Sequence, residues 1–215
     1  MHPMLELRKI TKSVGDKTLY HDVSFCFRQG CYAMIGKNGI GKTVLMEMLA
    51  GVLRPDSGTI CLDGVGNSLS KKHKQKLTYI PSAPLFFPTA TGAEFLSFIV
   101  SIKRANKSQE KIYELINRFR LSTHLHSRFN EMSLGTQKKL FLTTLGIGDS
   151  QLIILDEPTN ALDSESNQFL YEIIQELSKS AIVILATHDQ GLLKIIKPII
   201  IQLKSNPITQ LTQFS

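Results

Sequence analysis

Apolar and polar residues alternate at Leu5 and Leu7 and again at Val23, Phe25 and Phe27, the two-residue period of strands with one buried face. The first thirty residues therefore read as an antiparallel strand pair. The pattern then changes: Cys31-Tyr-Ala-Met-Ile35 is almost wholly apolar, as a strand covered on both faces requires, and it runs into a glycine-rich stretch. Residues 44–50 are good helix formers, and Gly51 is placed to end that helix. Short strands follow at 58–64, closed by Asp63-Gly64, and at 77–80, before Pro81. Between about 86 and 135 the period becomes helical, with Ile112, Leu115, Ile116 and Phe119 on one face at i, i+3, i+4 and i+7. Strand and helix then alternate again, with strands at 152–155, 182–186 and a closing one at 199–203, and helices at about 164–177 and 192–197. The pattern predicts one α/β domain: a core with an antiparallel β lobe (residues 1–85 and 136–215) and a helical lobe inserted at about 86–135.

Composition narrows the class. A chain of 215 residues, 42% hydrophobic, buries a sizeable core, which excludes a disordered tail. It holds no run of 18 apolar residues, so it does not span a membrane by itself, and its charged first residues lack the apolar core of a secretory signal; both point to the cytoplasm. The net charge of +7 fits a nucleotide, another polyanion or an anionic membrane surface as partner. Cys26, Cys31 and Cys61 form no CxxC pair and read as reduced packing residues. The basic run Lys71-Lys-His-Lys-Gln-Lys76 has no interleaved aromatics to stack bases, so a solvated loop is expected over a lipid or nucleic-acid contact. Phe86, Phe87, Phe95 and Phe98 are expected mostly in the core, with some left exposed for docking.

The chemistry sits at strand ends. Gly36-Lys37-Asn38-Gly39-Ile40-Gly41-Lys42-Thr43 has the spacing of a phosphate-binding loop, set between a buried strand and a helix. Its backbone N–H groups and the helix N-terminus suit a polyphosphate, Lys42 reaches the β- and γ-phosphates, and the Thr43 hydroxyl suits Mg²⁺. The strand at 152–155 then presents Asp156 and Glu157, the first to hold Mg²⁺ and the second to orient or deprotonate an attacking water. Loop and carboxylates together indicate a P-loop nucleoside triphosphatase that uses Mg²⁺; ATP as its nucleotide follows from the family resemblance below.

With these motifs the chain resembles the ATP-binding subunit of an ABC transporter over about residues 5–203. Met132-Ser133-Leu-Gly135-Thr-Gln-Lys resembles the family signature, Asn160-Ala-Leu-Asp163 the D-loop, and Thr187-His188-Asp the switch histidine. The resemblance implies that Ser133 and Gly135, with Asp163, close over the γ-phosphate held by another subunit, and that His188 steadies the attacking water. As local structure, Ser133 and Asp163 also read as helix N-caps. Departures are informative: Val14 stands where the family stacks an aromatic on adenine, Val44 replaces the threonine that follows the loop, and Ser82 replaces a glutamine that links Mg²⁺ to the membrane contact. Leu134 and Thr136 also depart from the signature, in a manner similar to small exporters for drugs, peptides, lipids or haem-type cargo. The resemblance implies a homo- or heterodimer of ATPase subunits, peripheral on the cytoplasmic face of the inner membrane and working with a separate polytopic membrane subunit, with no nucleic acid expected. A soluble nucleic-acid or ribosome ATPase and a weakly hydrolysing ATP switch remain the alternatives.

Overall fold

The computed structural model describes residues 3–66, 68–105, 109–204 and 208–214. Strands β1 (Met4–Val14) and β2 (Lys17–Arg28) form the expected antiparallel hairpin, and β4 (Ser57–Leu62) and β5 (Val65–Gly66) extend it to a sheet of order β2-β1-β4-β5. The second sheet has the order β10-β9-β3-β8-β7-β6, built from β3 (Gly30–Ile35), β6 (Leu77–Ile80), β7 (Leu152–Asp156), β8 (Ile182–Ala186), β9 (Ile199–Gln202) and β10 (Thr212–Phe214). All its neighbouring pairs are parallel except β10 with β9. The strand expected to close the chain is thus followed by another, β10, on its outer edge.

Alternation within the buried strands divides the interior into two layers. Leu152 and Ile154 of β7 and Ile182 and Ile184 of β8 join Tyr20, Phe27 and Leu45 between the two sheets. Their neighbours Ile153, Leu155, Val183 and Leu185 face the other way, onto Phe95, Phe119, Leu140 and Leu170 of the helical side. A strand buried on both faces gains nothing from polar alternation, which is why these segments read as unbroken apolar runs.

The helices are α1 (Lys42–Leu49), α2 (Lys71–Gln75), α3 (Gly92–Lys103), α4 (Gln109–Arg118), α5 (Leu134–Thr143), α6 (Ser164–Leu177) and α7 (Gln190–Ile196). Helix α3 begins at a capping box, Thr91 with Glu94, and α4 buries Leu115 and Ile116 from the expected face. The run at 71–76 departs from expectation: it is the short helix α2, capped by Ser70, with His73 buried and its Nε2 2.8 Å from the Leu49 carbonyl oxygen. Cys26 also departs, being exposed, whereas Cys31 and Cys61 are buried. Of the four phenylalanines, Phe86 and Phe95 pack together with Phe129, while Phe87 and Phe98 are exposed. No described helix is long and apolar enough to cross a membrane.

Candidate nucleotide site

Strands β3, β7 and β8 are parallel, so their C-terminal ends lie along one edge, where an open α/β sheet presents ligand-binding groups. From β3 emerges the loop of Gly36, Lys37, Asn38, Gly39, Ile40 and Gly41, and α1 starts at Lys42. Gly41 has φ of 118°, and a Cβ there would come within 3.1 Å of the Tyr20 ring, so only glycine fits. The Tyr20 hydroxyl, on β2, donates to the Gly41 carbonyl at 2.9 Å and props the loop from the antiparallel sheet. Lys42 Nζ donates to the Gly36 carbonyl at 2.7 Å and lies 3.3 Å from that of Lys37, folded over the loop.

Thr43 and Asp156 meet across the cleft, the Thr43 hydroxyl donating to Oδ2 at 2.9 Å. Asp156 is only 3% exposed. A buried carboxylate beside a hydroxyl, at a helix N-terminus, is a hard oxygen donor pair that fits Mg²⁺, and the loop amides with Lys42 fit the phosphates of a nucleotide. The cleft has a volume of about 320 Å³ and is also lined by Leu19, Val44, Ser82 and Glu157. Val14 does not line it and is exposed.

Glu157 turns the chain out of β7 with φ of 45°, an uncommon left-handed backbone for a side chain with a Cβ, fixed by its N–H donating to the Ala186 carbonyl at 2.9 Å. Its Oε1 is 3.5 Å from His188 Nε2, with the histidine side chain 65% exposed and the glutamate 17%. Neighbouring groups hold the His188 turn: the Asp189 N–H donates to Thr187 Oγ1, and its carboxylate accepts from Tyr171 and from the α7 amides of Gly191 and Leu192. Burial pushes the Asp189 carboxyl up, but those donors outweigh it and hold it below its ordinary range.

Ser133, Gly135 and Asp163 do not line the cleft. Ser133 caps α5, accepting from the Thr136 N–H at 3.1 Å, and Asp163 caps α6, accepting from the Ser166 N–H at 2.8 Å. The two caps belong to one surface: Lys139 Nζ is 2.5 Å from Asp163, holding its carboxyl well below the usual range, and a Cβ on Gly135 would meet the Ala161 carbonyl at 2.5 Å.

Sequence reasoning passed over three groups here: Leu19, Tyr20 and Lys138. Lys138, five residues along α5 from Ser133, is 2% exposed, and burial pushes its ammonium down to about 8, against the opposing pull of Asp156 and Glu157. Its Nζ donates to the Pro81 carbonyl at 2.9 Å, with those of Ser82 and Asp156 each at 3.4 Å. A buried ammonium is costly unless its donors are met, and here backbone oxygens meet them.

Residues 20–160 match the family model described as ABC transporter, and residues 127–194 also match one described as AAA domain, putative AbiEii toxin, Type IV TA system. The chain is 35% identical over 188 residues to the uncharacterized ABC transporter ATP-binding protein YxlF of Bacillus subtilis, covering 86% of this chain and 62% of that one. It is 32% identical to the Fe(3+) ions import ATP-binding protein FbpC 2 of Pectobacterium atrosepticum (87% and 56% covered) and 28% to the Nod factor export ATP-binding protein I of Burkholderia orbicola (86% and 62%). It therefore spans about three fifths of the length of these curated relatives. Among solved structures, one titled as an ATP binding subunit of an ABC transporter superposes with a TM-score of 0.88 at 23% identity, covering 99% of this chain and 90% of that one. A dimeric post-hydrolysis state of the ATP-binding cassette MJ0796, bound to ADP and Pi, superposes with a TM-score of 0.83 at 19% identity (98% and 99%). The family model spans about two thirds of the residues, among them the phosphate loop, Asp156 and Glu157, and the chain belongs to the ATP-binding domains of the ABC transporter family.

Proposed function

We propose that this chain binds and hydrolyses ATP to drive a membrane exporter, working as an ATP-dependent dimer on a separate polytopic membrane subunit. One observation carries the reading: the Thr43–Asp156 bond and the Glu157–His188 pair stand on adjacent strand ends around one cleft. Lys42 and the amides of Gly36 to Gly41 bind the phosphates, and Thr43 and Asp156 hold Mg²⁺, with Ser82 beside them. Mg²⁺, when bound, offsets phosphate charge. Glu157 takes the proton of the attacking water on its carboxylate, and His188, paired to it, fixes the water's position. Ser133, Gly135 and Asp163 serve the site of the other ATPase subunit of a homo- or heterodimer; that they stand outside the cleft of their own chain supports this.

On this reading residues 1–215 act as one ATPase domain with its helical lobe at about 86–135, peripheral on the cytoplasmic face of the membrane, with no nucleic-acid partner. Export is supported by the exporter-like Ser-Leu-Gly-Thr signature and by the likeness to a Nod factor export protein; the likeness to an iron importer makes import the competing direction. Everted vesicles holding the transporter decide between them by the sign of ATP-driven flux. The catalytic assignment is tested by Glu157→Gln: ATP turnover falls about 100-fold or more while ATP affinity stays within about threefold. Equal turnover in wild type and Glu157→Gln would sink it.

A further inference from the structure

Lys138 is a buried cation beside the cleft, and its ammonium is bonded to main-chain oxygens, two of them on residues that line the cleft. Those oxygens come from two separate places. Pro81 and Ser82 follow β6, and Asp156 ends β7; the two strands are parallel neighbours, paired from Leu77 with Leu152 to Ile80 with Leu155. Beyond Ile80 and Leu155 the ladder stops, and the chain must part to present Ser82 on one side and Asp156 and Glu157 on the other.

We infer that Lys138 is a positioning residue that replaces the missing rungs of this ladder, fixing the separation of the Ser82 and Asp156 backbones and thereby the direction of the Glu157 carboxylate. Three features suit lysine to the task. An ammonium carries three donors and no acceptor, and carbonyl oxygens are the groups it faces. Its long stem crosses from α5 without a backbone approach that helix packing would forbid. Its helix is the one capped by Ser133, so the same rigid element holds the strand ends of its own cleft and carries the serine offered to a second copy. A shift of Ser133 along the α5 axis is then transmitted to Asp156 and Glu157 through one side chain.

The inference rests on the assignment of Asp156 and Glu157 made above, so the experiment keeps the two apart. Steady-state ATPase rates are compared for wild type, Glu157→Gln, Lys138→Met, Lys138→Gln and Lys103→Met, each well below its own melting temperature. Lys103 is the internal control: it is half-buried and also hydrogen-bonded, to Thr78, Ser150 and the Ile147 carbonyl, but lies away from the cleft. Lys138→Met keeps the stem and loses the donors; kcat falls about tenfold or more with KM for ATP within about threefold, because a small misplacement of the catalytic carboxylate costs rate rather than binding. Lys138→Gln keeps two donors on a shorter stem and gives an intermediate kcat, roughly three- to tenfold below wild type. Lys103→Met lowers the melting temperature and leaves kcat unchanged.

A wild-type kcat in Lys138→Met or Lys138→Gln, while Glu157→Gln is inactive, overturns the inference and leaves the catalytic reading standing. Equal losses in Lys138→Met and Lys138→Gln overturn it too, since the carbonyl contacts would then not be what matters. A raised KM with unchanged kcat likewise overturns it. Should Lys138→Met not fold, Lys138→Gln alone carries the test. Full activity in Glu157→Gln would instead remove the reading on which the inference depends.

Discussion

At the cleft, Lys42, Thr43 and Asp156 bond to groups from other segments: Lys42 to the loop that precedes it, and Thr43 across 113 residues to Asp156. At the surface carrying Ser133 and Asp163, Ser133 is met by the first turn of its own helix, and Asp163 both caps α6 and pairs with Lys139 of the neighbouring α5. The first arrangement depends on the sheet edge being assembled; the second needs only the starts of two neighbouring helices, α5 and α6. The Ser133 and Asp163 caps bond no group that lines the cleft of their own chain; α5 meets the cleft only farther along, at Lys138. Nucleotide binding and dimerisation should therefore be separable by mutation.

The largest expected effect breaks the cleft. Lys42→Ala removes the one ammonium of the phosphate loop that folds over it, and the lost charge-assisted bonds, about 1.5–3 kcal/mol, weaken ATP binding roughly 10- to 100-fold by titration calorimetry. Ser133→Ala acts on the other region. It costs about 1 kcal/mol of stability through the lost cap and leaves ATP affinity of the diluted chain within about twofold. In the Glu157→Gln background, however, it weakens the ATP-dependent dimer about tenfold in analytical ultracentrifugation. A Ser133→Ala variant that lost ATP binding as a monomer would erase the distinction between the regions.

The smallest effect concerns Lys103, which belongs to neither. Burial pushes its ammonium from the ordinary 10.5 down to about 8. Between those values the unfolded chain binds more protons than the folded one, so Lys103 makes stability rise with pH. From pH 7 to pH 9 the gain is about 1 kcal/mol, a melting shift of roughly 2–4 °C that is absent from Lys103→Met. An identical pH response in both proteins would show that Lys103 titrates normally in the fold.

The two regions also differ in how well the sequence displays them. Strands β3, β7 and β8 are legible because burial on both faces demands unbroken apolar runs, and the loop and carboxylates stand directly after those runs. Ser133 and Asp163 are legible as caps, a signal contained in three residues. What stays hidden depends on main-chain oxygens or on very short elements. Lys138 reads as one more surface lysine because carbonyls of Pro81, Ser82 and Asp156 leave no mark on a side-chain pattern. Helix α2 buries one histidine among lysines, too little for a period to emerge, and β10 has three residues. Cys26 lies in a strand whose alternate positions face water, so its apolar neighbours say little about its own exposure.

The bond between Tyr20 and Gly41 limits which sequences can reach this fold by single steps. The ring that excludes a side chain at 41 also carries the hydroxyl bonded to the carbonyl there, and burial keeps that hydroxyl protonated. Replacing the tyrosine by phenylalanine leaves that carbonyl with the Leu45 N–H alone; replacing the glycine drives a methyl group against the ring and strains a backbone at φ of 118°. Shrinking the ring would free space at position 41 but not the backbone there, so the glycine is held twice over and the antiparallel lobe is tied to the phosphate loop at a point where one side chain serves both.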